Sequence, residues 1–357
     1  MGRKYRIGVI KGDGIGPEIM DVTLDIINSL GLNLELIEIG AGYEFYKKTG
    51  KLVEDGILDI IKNLDAVIKG PLTTPIGRGT FRSINLYLRQ ELDLYINVRP
   101  FRSFKNISLK KFNLVIIREN TEDLYVGIEG RYRDTAYSLK IISKRASERI
   151  IRYAFNYAIK RGFTKITVIH KANIMKETDG LFREVFFNIA KSFNNLEVGE
   201  MIVDAAAYNL VKNPEKFEVL VTPNLYGDIL ADLVAGLVGS LGLCGSAQIG
   251  DNIAIFEPIH GSAPDIAGKG IANPIGEIIA AKLMFEYIGD KYHDESLIRL
   301  ANIIDNAISI VIEQKRILTP DLGGNAKTKD VGNEILNTIE MLLSENIAFN
   351  GIQHVNE

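Results

Sequence analysis

Residues 257–274 read EPIHGSAPDIAGKGIANP, a run in which three glycines and three prolines separate Glu, His, Ser, Asp and Asn side chains. A packing helix does not tolerate so many breakers, and a flexible linker has no need of these polar side chains at fixed offsets. Glycines allow backbone N–H groups to approach a ligand closely, while polar side chains held between them fix its orientation. The run therefore predicts a ligand-binding loop.

The composition indicates a globular protein with two lobes. The chain has 357 residues, of which 46% are hydrophobic, and this is too long for one ordinary core. The net charge of −3 mixes acids with bases and argues against a nucleic-acid surface. The single cysteine, Cys244, excludes an internal disulfide and suits a reducing cytoplasm. No apolar run approaches the ~18 residues of a membrane span, and the N-terminus passes directly into a strand-like segment, so we expect no signal peptide.

Apolar, strand-like runs alternate with helical patterns, which predicts an α/β fold with a largely parallel sheet. The predicted strands are residues 7–10, 34–39, 66–69, 114–117, 166–169, 197–203 and 219–222. The predicted helices include residues 17–30 and, in a mostly helical C-terminal part, 275–288, 294–313 and 330–343, where a polar tail ends the last helix. Because no linker rich in Pro, Gly and Ser separates the lobes, we expect interlaced domains.

The segment GDGIGPE, residues 12–18, follows the first predicted strand and invites comparison with the dinucleotide fingerprint GxGxxG. That fingerprint needs a glycine where this chain has Pro17, and proline suits the first turn of a helix. Glu18 suits a helix N-terminus. The segment therefore predicts a tight strand-to-helix turn rather than a Rossmann phosphate loop.

Three aspartates are candidates for a divalent metal site. Asp228 and Asp232 are four residues apart and would share one face of a helix. Two like charges at that spacing need a cation or hydrogen bonds to compensate them, and oxygen ligands suit Mg²⁺ or Mn²⁺. Asp204 ends another apolar strand. The alternative is an ordinary solvated helix turn, while four scattered histidines and one cysteine make no usual zinc site.

Three arginines, Arg89, Arg99 and Arg118, lie near the ends of candidate strands or helices. Guanidinium groups bind carboxylates bidentately and stay charged at all working pH values, so together the three could clamp a polycarboxylate. Taken singly, each is more often a surface ion-pair residue. Tyr125 and Lys171 add a candidate acid and a candidate base, although a lone Tyr or Lys is ordinarily structural.

Together these segments resemble the isocitrate/isopropylmalate dehydrogenase family, the β-decarboxylating dehydrogenases. The matching runs are GDGIGPE, VDAAAYNLV at 203–211, NLYGDILADL at 224–233, the segments around the three arginines, and the loop at 257–274. The resemblance implies two interlaced α/β domains that are not a Rossmann fold, with the active site in the cleft between them. The implied large, NAD-binding domain takes residues 1–94 plus 240–357. The small domain takes 95–239 and includes a dimer arm near 120–144.

The same resemblance implies a homodimer with shared active sites. Asp228 and Asp232 would bind Mg²⁺ or Mn²⁺ in one subunit, and Asp204 would reach the metal from the partner. The metal would chelate the α-hydroxyl of the substrate and the adjacent carboxylate, while the carboxylate at the β position leaves as CO₂.

Proton transfer and substrate orientation follow from the resemblance as well. Lys171, contributed together with Asn173 by the neighbouring subunit, would take the hydroxyl proton through water or an Asp. Tyr125 would then protonate the enol or enolate. Arg89, Arg99 and Arg118 would hold the substrate carboxylates in a productive orientation.

The resemblance also points to NAD as the cofactor. Family members that use NADP have Lys then Tyr where this chain has Asp265 and Ile266, and further Tyr and Arg contacts near residues 318–324, where this chain has neither. The Asp265 carboxylate would accept hydrogen bonds from ribose hydroxyls and repel a 2′-phosphate. The implied dinucleotide contacts are Thr73, Thr74, Glu257, His260, Gly261, Ser262, Ala263, Asp265, Ile266 and Asn273.

Substrate choice depends on the residues just before Arg89. Isopropylmalate enzymes carry two leucines three and four residues before this arginine, where the chain has Leu86 and Asn85. Isocitrate enzymes carry Ser and Asn six and four residues before it, which are Ser83 and Asn85, and both can donate to a carboxylate. The run RSINLYLRQELDLY, residues 82–95, resembles the isocitrate branch, so an NAD-dependent isocitrate dehydrogenase is the leading expectation.

Two alternatives stay open. The runs at 118–132 and 319–336 look as much like homoisocitrate dehydrogenases, so homoisocitrate, or less readily 3-isopropylmalate, is the alternative substrate. A regulatory subunit of a hetero-oligomeric isocitrate dehydrogenase is the non-enzyme alternative. Such a subunit should lack at least one of Tyr125, Lys171, Asp228 and Asp232, and all four are present.

Overall fold

The computed structural model describes residues 3–75, 77, 80–81 and 83–353, with side chains up to residue 345. Arg82, which opens the run before Arg89, lies outside these residues, as does the tail from His354 onward. Within the described ranges, no helix combines the length and the apolar character needed to cross a membrane.

Twelve strands occur in the described residues. They are β1 Tyr5–Ile10, β2 Leu34–Glu38, β3 Ala66–Lys69, β4 Ile96–Arg102, β5 Asn113–Glu119, β6 Glu129–Tyr132, β7 Thr135–Ser138, β8 Lys165–His170, β9 Glu197–Ile202, β10 Val219–Thr222, β11 Gly245–Ile249 and β12 Ala254–Pro258.

Eleven helices accompany the strands in the same part of the chain. They are α1 Gly16–Ser29, α2 Tyr43–Thr49, α3 Ile57–Lys62, α4 Ile84–Glu91, α5 Lys144–Lys160, α6 Thr178–Ala190, α7 Val203–Lys212, α8 Asn224–Val238, α9 Ile275–Tyr292, α10 Glu295–Gln314 and α11 Thr328–Gln353.

Ten of the strands form one sheet in the order β2-β1-β3-β12-β11-β4-β5-β10-β8-β9. The four strands at each end of the sheet run parallel to one another. In the centre, β11 and β4 pair antiparallel with each other and with the strands β12 and β5 beside them. The prediction of an α/β fold is confirmed, and the order is not that of a Rossmann sheet. The chain crosses from one end of the sheet to the other and returns with β11 and β12, which interlaces the two halves. The boundaries at 94/95 and 239/240 stay predictions.

The central strands place polar side chains on one face of the sheet. Asn97 of β4 is paired with Arg118 of β5 on one side and with Gln248 of β11 on the other. Because side chains two residues apart along a strand share a face, Arg99 lies on the same face as Asn97. Apolar residues occupy the opposite face, where Val98 is buried. The centre of the sheet thus separates a polar site from an apolar core.

Two sequence-based expectations differ from the structure. Strands β4, β11 and β12 are not predicted, because Pro100 interrupts β4 and the small residues of β11 carry little strand propensity. The predicted end of the last helix at residue 343 is wrong, since α11 continues to Gln353. Polar residues do not by themselves stop a helix.

Candidate active site

Arg118 is a fully buried side chain on β5 and forms the inner wall of the candidate site. Its Nε and Nη2 donate to Asn224 Oδ1 at 2.9 and 2.6 Å, and its Nη1 donates to Asp228 Oδ1. Burial, together with the charges of Arg99 and Arg89, lowers the pKa of Arg118 to about 9, although Asp228 opposes this change. The positive charges of three guanidinium groups are therefore concentrated near this wall.

Gly227 allows α8 to pass close to Arg118. A Cβ on Gly227 would lie 2.7 Å from Arg118 Cβ and 2.4 Å from Thr222 Oγ1, which no real side chain tolerates. The first turn of α8 therefore packs in direct contact with β5 and β10. This close approach brings Asp228, one residue later, to the guanidinium group.

The other two arginines approach from different elements. Arg99, on β4, places Nη2 3.2 Å from Asp228 Oδ1 and donates from Nε to Asn97 Oδ1 at 3.1 Å. Within the described part of the chain, the buried Nη1 of Arg99 has no hydrogen-bond partner. Arg89, on α4, donates from Nε to Gln248 Oε1 at 2.5 Å and lies 3.6 Å from Glu257 Oε1. Arg99 and Arg118 thus share the carboxylate of Asp228, Arg89 lies beside Glu257, and Arg99 keeps a free donor.

Tyr125 belongs to the same cluster. It lies in a 3₁₀ turn over Leu124–Val126, and its hydroxyl donates to Asp228 Oδ2 at 2.5 Å. The Arg118 guanidinium carbon lies 4.9 Å from the centroid of its ring. Burial raises the pKa of Tyr125, and Asp228 adds to this increase although Arg118 opposes it. Tyr125 therefore carries a proton at neutral pH.

Asp228 and Asp232 lie one turn apart on α8, as their spacing predicts. Burial raises the pKa of Asp228, but Arg118 and Arg99 more than offset this, so the pKa lies below its ordinary value. The pKa of Asp232 is raised by burial and by the charge of Asp228, against the effect of Arg99. A divalent cation between the two carboxylates would relieve their repulsion, and both are oxygen donors of the kind that Mg²⁺ or Mn²⁺ takes. The pair therefore fits such an ion.

Asp204 lies apart from this pair. The expectation that Asp204 ends a strand is wrong, because β9 ends at Ile202 and Asp204 lies in the first turn of α7. It is largely exposed and accepts a hydrogen bond from Lys171 Nζ, which holds the pKa of Asp204 below its ordinary value. Neither residue forms an ion pair or hydrogen bond with Asp228 or Asp232 in the described ranges. Asn173, in the turn after Lys171, is exposed. No three His, Cys, Asp or Glu side chains among the described residues are grouped closely enough to hold a metal.

The loop at 257–274 is held by the GDGIGPE turn. A Cβ on Gly14, whose φ is +59°, would lie 2.0 Å from the carbonyl oxygen of Ser262. The Ile15 N–H donates to that same carbonyl at 2.9 Å, and the hydroxyls of Ser262 and Thr73 are 2.7 Å apart. Asp13 accepts the Thr73 N–H at 2.8 Å. The turn therefore contacts two predicted nucleotide-binding segments, one at Ser262 and one at Thr73.

Glu18 fixes the second half of the same loop. Its carboxylate accepts the backbone N–H groups of Gly270 and Ala272 at 3.1 and 3.0 Å, together with the Thr328 hydroxyl. Sequence reasoning gave Glu18 only a role at the helix N-terminus. A Gly-rich turn followed by an acid was the available signal, but its partners lie more than 250 residues away.

The predicted dinucleotide residues follow along this loop. Burial lowers the pKa of His260, so the ring is neutral; Nδ1 is 3.0 Å from the Gly261 carbonyl, and within the described ranges the buried Nε2 has no partner. Ala263 has a left-handed backbone with φ +38° and precedes a 3₁₀ turn over Pro264–Ile266. In that turn Asp265 is exposed and forms no ion pair or hydrogen bond with any described residue. Thr74 is exposed as well.

Asn273 closes the loop with contacts inside the protein. Its Nδ2 donates to Asp321 Oδ2 at 3.0 Å, and its Oδ1 accepts the Ile275 N–H at 3.1 Å at the start of α9. Both polar atoms of the amide are therefore engaged. A contact with adenine would require them to be shared.

Glu257 connects the loop with the arginine cluster. It is buried, pairs with Lys69 and with Arg89, and accepts a hydrogen bond from Gln248 Nε2. Burial raises its pKa, but Lys69 and Arg89 bring the pKa below its ordinary value. Sequence reasoning missed Lys69 and Gln248. A lysine that ends the otherwise apolar strand β3 was the signal for the first.

Ser83 and Asn85 lie at the start of α4, ahead of Arg89. The Ser83 hydroxyl accepts the Leu86 N–H at 3.3 Å and caps the helix, which leaves its own proton free to donate. The buried Oδ1 of Asn85 has no hydrogen-bond partner among the described residues. The first turn of α4 therefore has a polar residue, Asn85, at one of the two positions where isopropylmalate enzymes were expected to have leucine, whereas Leu86 occupies the other.

Known proteins match this chain over nearly its whole length. Residues 6–335 match the family described as isocitrate/isopropylmalate dehydrogenase. A homoisocitrate dehydrogenase from Methanocaldococcus jannaschii is 45% identical, and the match covers 95% of this chain and 99% of that protein. An isocitrate/homoisocitrate dehydrogenase from Thermus thermophilus is 44% identical over 95% of this chain and 99% of its own length. A 3-isopropylmalate dehydrogenase from Sulfurisphaera tokodaii is 43% identical over 94% and 99%.

The fold is similar to solved structures at comparable identity. The crystal structure of isocitrate dehydrogenase from Methylococcus capsulatus superposes with a TM-score of 0.88 at 44% identity, covering 94% of this chain and 99% of that one. Since the family match and the relatives agree, this chain belongs to the isocitrate/isopropylmalate dehydrogenase family, the oxidative β-decarboxylating dehydrogenases.

Proposed function

We propose that this chain is an NAD-dependent, metal-dependent dehydrogenase that oxidises and decarboxylates a tricarboxylic 2-hydroxy acid. The observation that carries the proposal is the convergence of Arg99, Arg118 and Tyr125 on Asp228, with Arg89 beside Glu257. Such a cluster provides more positive charge than one aspartate neutralises, and this excess suits a substrate with several carboxylates. The presence of Tyr125, Lys171 and both α8 aspartates favours an enzyme over a regulatory subunit.

Homoisocitrate is the first proposed substrate and isocitrate the second. The M. jannaschii relative, at 45% identity, is named for homoisocitrate, and the T. thermophilus relative for both acids. These relatives support the alternative substrate at least as well as the isocitrate expectation drawn from residues 82–95. Ser83 and Asn85 argue against 3-isopropylmalate. Burial of a hydroxyl and an amide against an isopropyl group, which cannot form hydrogen bonds with them, is unfavourable.

The chain's own residues divide the work as follows. Mg²⁺ or Mn²⁺ held by Asp228 and Asp232, with Asp204 from the neighbouring subunit, would supply a Lewis acid, and NAD would supply the hydride acceptor. Lys171, with Asn173 beside it, accepts the substrate hydroxyl proton. Tyr125, protonated at neutral pH, gives its proton to the carbon from which CO₂ has left. The three arginines hold the carboxylates throughout.

NAD is favoured over NADP by the loop at 257–274. Asp265 is exposed and has no ion pair among the described residues, so its carboxylate is free to accept hydrogen bonds from ribose hydroxyls and to repel a 2′-phosphate. The neutral His260 offers an unpartnered ring nitrogen at the same loop. Between this loop and the arginine cluster, the proposed cofactor contacts are Thr73, Ser262 and Glu257.

The test is NADH formation followed by absorbance with homoisocitrate, isocitrate and 3-isopropylmalate, each with Mg²⁺ or Mn²⁺, with NADP in place of NAD, and with a chelator. Turnover on the two tricarboxylates with NAD, abolished by the chelator and restored by metal, is the expected result. Preference for 3-isopropylmalate would contradict the substrate assignment, and equal use of NADP would contradict the role of Asp265. No turnover on any of the three acids would contradict the proposal itself.

A further inference from the structure

Lys140 is a nearly buried cation between two buried aspartates, just after β7. Its side chain is 11% exposed, and its Nζ lies 2.8 Å from Asp179 Oδ1 and 3.5 Å from Asp123 Oδ1. The Tyr226 hydroxyl is 3.3 Å away, and the ring of Tyr226 lies under the ammonium at 4.3 Å. Both aspartates are fully buried. Lys140 therefore places one positive charge between two carboxylates that have no access to water.

Asp179 uses its other oxygen to hold the backbone of Lys171. Asp179 lies in the first turn of α6, and its Oδ2 accepts the Lys171 N–H at 2.6 Å. This bond fixes the point where the chain leaves β8. The position of the Lys171 backbone therefore depends on the Asp179 carboxylate remaining in place.

Asp123 holds a second pair of segments. Its Oδ1 accepts the Leu124 N–H at 2.9 Å and so begins the 3₁₀ turn that carries Tyr125. Its Oδ2 accepts the Leu225 N–H at 2.9 Å, in the first turn of α8, three residues before Asp228. Asp123 takes up a backbone with φ +70° to make these bonds, a conformation that few side chains adopt freely.

The ammonium of Lys140 thus stabilises two carboxylates, those of Asp123 and Asp179, which would otherwise repel each other. A buried carboxylate without a compensating charge is strongly unfavourable, so loss of the ammonium would displace Asp123 and Asp179 from their present positions. This displacement weakens the hydrogen bonds to Lys171, Leu124 and Leu225. We propose that Lys140 is a positioning residue that, through Asp179 and Asp123, fixes the segments carrying Lys171 and Tyr125 for catalysis.

This inference rests on the proposed function for the roles of Tyr125 and Lys171. In that proposal Tyr125 works in the site of its own subunit, while Lys171 works in the site of the neighbouring subunit. Lys140 then links the Tyr125 segment, which belongs to one active site of the dimer, to the Lys171 segment, which belongs to the other. It touches neither substrate nor cofactor, so its effect is expected on turnover rather than on substrate binding by the arginines.

The test compares Lys140→Met, Lys140→Arg and the control Arg161→Met in the full-length enzyme. Arg161 also lies between two carboxylates, at 3.2 Å from Glu286 and 3.4 Å from Asp290, but neither of these carboxylates anchors the backbone of a proposed catalytic segment. Arg161→Met therefore reports the general cost of removing a cation that bridges two acids. Both kcat and KM, the melting temperature and hydrogen–deuterium exchange are measured for each protein.

We expect Lys140→Met to lower kcat by about 100-fold while KM for the acid changes less than about threefold. Lys140→Arg should recover most of the turnover, and Arg161→Met should keep it. Peptides containing the amides of Lys171 and Leu225 should exchange faster in Lys140→Met and unchanged in Arg161→Met. If Lys140→Met does not fold, Asp179→Asn replaces it, and exchange should then rise at Lys171 while Leu225 stays protected.

Three results would overturn the inference. They are wild-type turnover in Lys140→Met, a loss of turnover that only follows the melting temperature as in Arg161→Met, and unchanged exchange at both amides. The exchange measurement needs no substrate. An inactive wild-type protein would therefore count against the proposed function, whereas exchange would still decide whether Lys140 positions the two segments.

Discussion

At the scale of single residues, the site is defined by charges that do not cancel. Asp228 is contacted by Arg99, Arg118 and Tyr125, and Arg89 lies close enough to lower its pKa. Within the described residues the buried Nη1 of Arg99 has no hydrogen-bond partner. An anionic ligand would accept a hydrogen bond from this donor and balance the charges of the neighbouring guanidinium groups.

Glu277 presents the opposite imbalance, a buried acid without partners. Both carboxylate oxygens are buried in α9 without a hydrogen bond from any described residue. Burial raises the pKa of Glu277 well above its ordinary value, and Glu257 adds to this while Lys69 opposes it. In the unfolded chain the group has its ordinary pKa, so folding adds a proton wherever the pH lies between the unfolded and the folded pKa.

The sign of the resulting pH dependence follows from this uptake. Because the folded-state pKa is raised, the stability that the protonated group contributes is complete below the unfolded pKa and is lost as pH rises towards the folded pKa. We expect Glu277→Gln to increase the free energy of unfolding relative to wild type by up to about 1.4 kcal/mol per pH unit above about pH 4.5. Denaturant unfolding of both proteins from pH 5 to pH 8 measures this difference.

The control for that comparison is Glu184→Gln, on the exposed face of α6. It removes one negative charge from the surface and should leave a difference from wild type that does not grow with pH. A Glu277→Gln difference that stays flat from pH 5 to pH 8 would show that Glu277 is ionised in the folded protein.

At the scale of elements, the β1–α1 turn packs against the proposed nucleotide loop at 257–274. Gly14 lies against the Ser262 carbonyl, Asp13 holds the loop at Thr73, and Glu18 holds Gly270 and Ala272. These contacts explain why an apparent dinucleotide fingerprint is interrupted by Pro17. The turn needs close packing against another loop, whereas a Rossmann turn needs room for pyrophosphate.

Substitution of Gly14 by alanine should therefore weaken NAD binding. The added Cβ would lie 2.0 Å from the Ser262 carbonyl and displace the loop that carries His260 and Asp265. We expect KM for NAD to rise roughly tenfold or more, because small displacements of binding groups cost large factors in rate and affinity. Initial-rate kinetics with varied NAD measures this change.

Gly31→Ala is the matched control for this substitution. Gly31 has nearly the same backbone, with φ +63°, but a Cβ there meets nothing within 4 Å. Both variants carry the cost of a left-handed alanine, about 1 kcal/mol. Equal KM values for NAD in the two variants would mean that backbone strain, and not contact with the loop, determines the outcome.

At the scale of the whole molecule, exposed apolar side chains lie beside both halves of the proposed site. Ile174, next to Asn173, is 69% exposed, and Ile229, between Asp228 and Asp232, is 59% exposed. The β6–β7 hairpin, within the predicted arm at 120–144, exposes Tyr132 and Tyr137 to 68% and 57%. Clustered exposed apolar residues mark interfaces. They support a dimer in which Asp204 and Lys171 of one subunit meet Asp228 and Asp232 of the other.

Shared sites make a quantitative prediction for mixed dimers. Lys171→Met and Tyr125→Phe should each lose turnover by orders of magnitude, since each removes one proton-transfer group. When the two variants are co-expressed in equal amounts, half of the dimers combine them, and each such dimer regains one intact site. We expect about one quarter of wild-type turnover from the mixture.

The same experiment excludes the arrangement in which each subunit holds a complete site. In that case every site of the mixture carries one defect, and turnover stays at the level of the single variants. Co-expression of Lys171→Met with itself under a second affinity tag is the control for recovery during purification. Sedimentation of the mixture establishes that the species measured is a dimer.

Local patterns were sufficient for much of the fold. The strands at Ala66–Lys69 and Val219–Thr222 have the predicted bounds, and the pairing of Asp228 with Asp232 on one helix face needed only their spacing. In contrast, β4 and β11 were not predicted, although they are the floor of the site. Their residues carry weak strand propensity, and their pairing with each other and with β5 is a property of the sheet.

The sequence by itself determined the alternation of strands and helices, the turn at Gly12–Gly14, the helical pair of aspartates, and family membership through its motifs. The tertiary structure alone decided that Arg99 and Arg118 meet at Asp228, that Glu257 joins Arg89 to the loop at 257–274, and that Lys140 joins two buried aspartates. The physical reason is the difference in sequence separation between the interactions involved. Periodicity and turn chemistry act over a few neighbouring residues, whereas buried ion pairs depend on the register of distant strands and on the exclusion of water around them.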